Sequence, residues 1–112
     1  MEEKVFYNEV TGWPSEVLST VLRKISAYTR RNKVRYFKVG ITNNPERRFD
    51  EEYKYNYDEM IVIYCSNSYD NVCDLERELV NHNRGLADNI IGGGGGRRGE
   101  PPYNMYVVIK NR

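Results

Sequence analysis

The feature that most constrains this chain is an apolar stripe, Val17, Leu18, Val21, Leu22, Ile25 and Tyr28, spaced at steps of one, three and four. That spacing sets one face of a helix of about 15 residues, and a helix with one apolar face needs a second layer to cover it. The helix has a physical start at Trp13-Pro14, because the missing proline N–H is not needed in a first turn. On either side the period changes to two. Lys4 to Val10 reads as a short strand ended by Thr11-Gly12. After a break at Asn32-Lys33, Val34 to Thr42 alternates, with Phe37, Val39 and Ile41 on one face and Tyr36, Lys38, Gly40 and Thr42 on the other. Strands flanking an amphipathic helix predict a layered α/β domain, and 112 residues suffice for one core but not two. Residues 1–112 are read as a single domain.

The remaining elements follow from local chemistry. Asn43-Asn44-Pro45-Glu46 combines an asparagine cap, a proline in the first turn and an acid near the positive end of the dipole, so a helix is expected from there to about Lys54. Met60 to Cys65 is an apolar strand. Ser66 to Asp70 supplies a turn and a cap for a helix from Asn71 to about Arg84, stopped by Gly85. Leu86 to Ile91 leads into the glycine tract Gly92 to Gly96 and then Arg97-Arg98. The tract is read as a loop, either a linker or an anion nest, because a core-quality strand, Tyr103 to Lys110, follows it.

Composition excludes several classes. The apolar runs, such as Met60 to Tyr64 and Tyr106 to Ile109, are far shorter than the roughly 20 residues of a membrane span. The N-terminal Met-Glu-Glu-Lys lacks the basic start and apolar stretch of a secretory signal, so a cytoplasmic location is expected, in the cell or in an infected host. Cys65 and Cys73 are read as small core residues, since a zinc site built on two cysteines and one histidine would need carboxylates to complete it. His82, late in its helix, reads as a surface or helix-end residue. A net charge of +1 argues against wrapping of nucleic acid by charge alone, so any basic surface must be local. Arg30, Arg31, Lys33, Arg35 and Lys38 form one candidate cluster, and Arg97 and Arg98 another; Glu51, Glu52, Asp58 and Glu59 are available to balance them. Tyr53, Tyr55 and Tyr57 alternate in a polar stretch, as a base-stacking surface or as the rim of a core.

The most informative side chain is Glu76. On a helical wheel it falls among Val72, Leu75, Leu79 and Val80, whereas Glu78 points away. An inward carboxylate costs several kcal/mol unless it is paired or bound to a cation. Glu76 is therefore a buried ion-pair partner of an arginine, a metal ligand, or an acid-base group at a helix edge. The second informative stretch runs from Tyr36 to Phe49. A strand ending in glycine and turning into a capped helix puts backbone N–H groups near Arg48, one turn in, a corner suited to phosphate. The wheel places Arg48 nearer than Arg47 to the apolar side set by Phe49 and Tyr53.

Lys38-Val39-Gly40-Ile41-Thr42-Asn43-Asn44-Pro45-Glu46-Arg47-Arg48, followed by Leu75-Glu76-Arg77-Glu78-Leu79-Val80, resembles the GIY-YIG nuclease superfamily, in the branch with Lys-Val/Ile-Gly-Ile-Thr-Asn in its second strand. The resemblance covers Tyr36 to Asn89. It implies an α+β fold with a small, mainly antiparallel sheet of three to four strands flanked by about three helices. By the same resemblance Arg48 matches the family arginine, Glu76 the glutamate that holds a divalent ion, and Asn89 the asparagine beyond it. Lys38 stands where the family has a tyrosine, with Tyr36 on the same face of the strand. Val5-Phe6-Tyr7 matches the first half-motif by strand character and nominates Tyr7, while Tyr28 has the better spacing but lies on a helix. The implied function is a metal-dependent endonuclease that hydrolyses phosphodiester bonds, with Mg2+ or Mn2+ on Glu76, a tyrosine activating water and Arg48 stabilising charge on the phosphate. The implied partner is nucleic acid, DNA in the first instance, with a homodimer as a possible assembly. Two other readings remain open: a non-catalytic module that binds nucleic acid or a nucleotide ligand, and a protein-interaction domain using Tyr53, Tyr55 and Tyr57.

Overall fold

The elements alternate along the chain as β1 (Val5–Val10), α1 (Pro14–Thr29), β2 (Val34–Thr42), α2 (Pro45–Arg48) with a π-helical continuation (Phe49–Tyr53), β3 (Glu59–Ser66), α3 (Tyr69–His82) and β4 (Tyr103–Asn111). The computed structural model describes residues 4–82 and 99–112. The expectations for Leu86 to Ile91, Asn89, the glycine tract, Arg97 and Arg98 lie outside the described residues.

The four strands form one sheet in the order β1-β3-β4-β2. β4 pairs antiparallel with both β2 and β3, and β1 pairs parallel with β3. The fold is thus the expected small α+β domain, with two antiparallel ladders and one parallel. The chain crosses the whole sheet from β1 to β2 through α1, then returns from β2 to β3 through α2. Reversing the direction while switching faces keeps both crossovers to one hand, the constraint that strand twist imposes on such connections.

Strand alternation divides the core between the two faces. α1 and α3 cover Val39, Ile41, Ile61, Ile63, Met105, Val107 and Ile109. Phe49 and Tyr53, from the π-helical turn, cover Val5, Met60, Val62, Tyr106 and Val108 on the other face. The α1 stripe is seated as its spacing requires: Val21 and Ile25 are buried, and Val17, Leu18, Leu22 and Tyr28 pack around them. From α3, Leu75 and Leu79 are fully buried; truncating either to Ala would cost about 2–5 kcal/mol.

Three local expectations are revised. α3 begins at Tyr69 rather than Asn71, because Ser68 caps it, its Oγ accepting from the Asn71 N–H at 3.2 Å. The helix after Asn44 does not stay α-helical to Lys54: the Lys54 N–H reaches back to the Phe49 carbonyl at 2.8 Å, and this wider turn seats both Phe49 and Tyr53 against the sheet. Cys65 and Cys73 are free thiols that are half-buried rather than core.

Candidate functional site

The start of α2 is built by hydrogen bonds local to the sequence. The Asn44 N–H donates to Thr42 Oγ1 at 3.1 Å, and Asn44 Oδ1 accepts from the Arg47 N–H at 3.1 Å. With Pro45 at the first helical position, this cap fixes the rotation of the turn. Arg47 is left in solvent and Arg48 is brought back over the sheet, as the wheel predicts. Arg48 Nη1 lies 3.4 Å from Tyr106 Oη, and its Nε lies 3.5 Å from Glu52 Oε1. About a third of the Arg48 side chain, 32%, stays open to solvent.

Beneath Arg48, the hydroxyls of Tyr53 and Tyr106 share a buried hydrogen bond of 2.8 Å. Burial pushes both phenols above the ordinary tyrosine range, Tyr106 far above it. Both hydroxyls therefore keep their protons at physiological pH and serve Arg48 as hydrogen-bonding supports. Tyr106 lies against β2 at Gly40, where a Cβ would stand 2.6 Å from its Cζ. The glycine of the Lys-Val-Gly-Ile block thus makes room for a phenol from another strand.

Beside this support runs an open groove of about 490 Å³, lined by residues that include Tyr36, Lys38, Glu52, Tyr53, Asn56 and Tyr57. The rings of Tyr36, Tyr57 and Tyr53 meet edge to face, at centroid distances of 5.5 Å and 5.2 Å. Tyr53 is buried, Tyr57 half-buried and Tyr55 exposed, so the alternating tyrosines do not share a face. This corrects the protein-interaction reading, which needs all three to face one partner. Lys38 has no ionic partner among the described residues. The neighbouring basic cluster is partly balanced, with Arg31 bound to Glu59 at 2.6 Å.

The other candidates are dispersed. Tyr7 lies on β1 and Tyr36 on β2, the two outermost strands, and the Tyr7 hydroxyl donates to Glu46 at the start of α2. Tyr28 sits on α1, in the opposite layer, and accepts from Asn8 Nδ2 at 2.7 Å. Glu76 is on α3 in that same layer, so the sheet stands between it and Arg48. Glu76 is half-buried, and its Oε2 is sealed from solvent with no hydrogen-bond partner among the described residues. Burial raises its carboxyl above the ordinary range. Glu78 is half-buried too, so the two carboxylates differ less than the wheel suggests.

A magnesium-type ion takes oxygen ligands and is commonly held by one or two carboxylates together with substrate phosphate. Glu76 supplies one carboxylate, but a phosphate gripped by Arg48 would lie across the sheet from it. No group of three or more His, Cys, Asp or Glu gathers among the described residues. The described residues therefore do not fit a single centre in which metal and arginine act on one phosphate.

Tyr106 is the site residue that sequence reasoning missed. Its signal was a lone phenol in the aliphatic run Met105-Tyr106-Val107, facing the only glycine of β2. Fold and site together define a small α+β domain with an aromatic and cationic groove on the face opposite α1 and α3. Comparison with known protein families, curated proteins and solved structures gives no match to this chain. Among the described residues no helix is long and apolar enough to cross a membrane.

Proposed function

We propose that this domain is a non-catalytic module that binds single-stranded nucleic acid or a nucleotide ligand along the Tyr36–Lys38–Tyr57 groove, with Arg48 as its phosphate contact. The observation that carries the reading is the composition of that groove: aromatic rings beside a lysine with no ionic partner among the described residues, and an arginine held half-open on a tyrosine support. Aromatic rings stack on any base, and cations beside them track the backbone, so such a surface takes nucleic acid without a high net charge. The resemblance of Lys38 to Arg48 to the second strand and first helix of GIY-YIG proteins supports the same ligand class. The endonuclease reading is favoured by one observation, the Oε2 of Glu76, which has no hydrogen-bond partner among the described residues. The position of Glu76 on the far side of the sheet weighs against it.

The test is fluorescence anisotropy with labelled single-stranded DNA, RNA, duplex and cyclic oligonucleotides, run with magnesium, with manganese and with chelator, followed by gel analysis of the same samples. Binding that survives chelation and leaves the oligonucleotide intact supports the module. Metal-dependent cleavage that is lost in Glu76→Gln replaces it with the nuclease. Absence of binding to every probe refutes both.

A further inference from the structure

At the other edge of the sheet, where β1 and β3 end, lies a second cleft of about 430 Å³, lined by Thr11, Gly12, Trp13, Cys65, Ser66, Asn67 and Asn71. None of these residues carries a formal charge at neutral pH; burial and the nearby Glu9 push the Cys65 thiol up, so it stays protonated. Trp13 is 63% exposed. It occupies the N-cap of α1 and makes no capping hydrogen bond, at a position where Ser, Thr, Asp or Asn would stabilise the helix.

The backbone that carries the indole is fixed by its neighbours. Pro14 biases the preceding residue to extended backbone, and Trp13 has φ −69° and ψ 142°. Gly12, at φ 133°, provides a turn that side-chain-bearing residues rarely adopt. Its carbonyl accepts from the Tyr64 hydroxyl at 2.6 Å, which pins the turn to β3. Across the cleft, Ser68 caps α3 through its Oγ, which accepts from the Asn71 N–H, and the Ser66 hydroxyl accepts from the Ser68 N–H in the turn before it. The side-chain amides of Asn67 and Asn71 make no hydrogen bond to the described residues.

We infer that this cleft binds an unpaired nucleobase, stacked on Trp13 and read along its edge by the amides of Asn67 and Asn71. An amide carries a donor and an acceptor side by side, which matches the paired donor and acceptor on a base edge, and an uncharged lining suits an uncharged ring. The constrained backbone at Trp13 removes part of the ordering cost of the stack. The choice of a base over another planar or hydroxylated ligand rests on the nucleic-acid reading of the domain, but the cleft shares no lining residue with the Tyr36–Lys38–Tyr57 groove.

Trp13 is the only tryptophan in the chain, so its fluorescence reports this cleft directly. The full chain is titrated with adenosine, guanosine, cytidine and uridine, none of which carries a phosphate, and with glucose as the sugar arm. Saturable quenching by at least one nucleoside is expected, weakened about five-fold or more by Asn71→Ala and by Asn67→Ala. Unchanged emission and circular dichroism of the free variants verify that they are folded. Lack of saturable quenching by any nucleoside, an equal response to glucose, or full affinity in both asparagine variants overturns the inference. Oligonucleotide binding without nucleoside quenching would sink this inference alone, while nucleoside quenching without oligonucleotide binding would sink the groove reading alone.

Discussion

Tyr106 and Gly40 are locked together: the phenol of β4 lies across the backbone of β2 so closely that a Cβ at residue 40 would stand 2.6 Å from its Cζ. The phenol also touches Arg48 and Tyr53, so the contact links the glycine of the sequence motif to the arginine of the groove.

Gly40→Ala forces the Tyr106 ring to move in a buried site where it has a hydrogen-bond partner. Overpacking of this kind costs about 1–3 kcal/mol. Urea denaturation should show that loss. Oligonucleotide affinity should fall further than for a surface variant of equal stability, because Arg48 loses its support. An alanine variant as stable as the parent would mean that the ring shifts freely.

The buried hydroxyl pair makes a second prediction. Tyr53→Phe and Tyr106→Phe each leave a hydroxyl short of its partner, at about 1 kcal/mol apiece, whereas the double variant removes both polar groups together. A double-mutant cycle should therefore give a double variant less destabilised than the sum of the singles. Strict additivity would show that the 2.8 Å contact contributes nothing.

Glu76 predicts a pH dependence. Its carboxyl is raised in the folded state by burial, so the folded protein binds this proton more tightly than the unfolded chain does. The stability contributed by its protonated form is complete below the unfolded pKa, for which the ordinary glutamate value is 4.5, and is lost as the pH rises through the higher folded pKa. Glu76→Gln removes this loss. The stability difference between variant and parent should grow in favour of the variant across that window and level off above it. A difference that is flat with pH would indicate that the carboxylate is compensated by a partner.

Lys38 and Arg48 predict a salt signature. If each meets one phosphate of a single strand, Lys38→Ala and Arg48→Ala should each reduce the slope of log K against log salt by about 0.7. Arg48→Lys keeps the charge but loses the fork, so it should weaken binding with little change in slope. Tyr36→Ala should lower affinity by about 1–3 kcal/mol without altering the slope. Unchanged slopes for both charge-removing variants would place the backbone contact elsewhere.

Much of the architecture was already present in one dimension, because it depends on groups a few residues apart. The period of Val17 to Tyr28, the cap at Asn44, the glycine-bearing strand Val34–Thr42 and the direction of Arg48 relative to Arg47 are all local matters of helix and strand geometry. What the chain could not disclose locally was which face of the sheet each helix would cover. That depends on strand order, and strand order is set by pairings such as Val5 with Met60 and Gly40 with Tyr106, which are distant in sequence. The helical wheel of α3 turned Glu76 inward correctly, but only the crossover that carried α2 to the opposite face separated it from Arg48. The π-helical turn escaped notice for the same reason: packing Phe49 and Tyr53 together against a sheet built from remote strands outweighed the local preference for an α-helix.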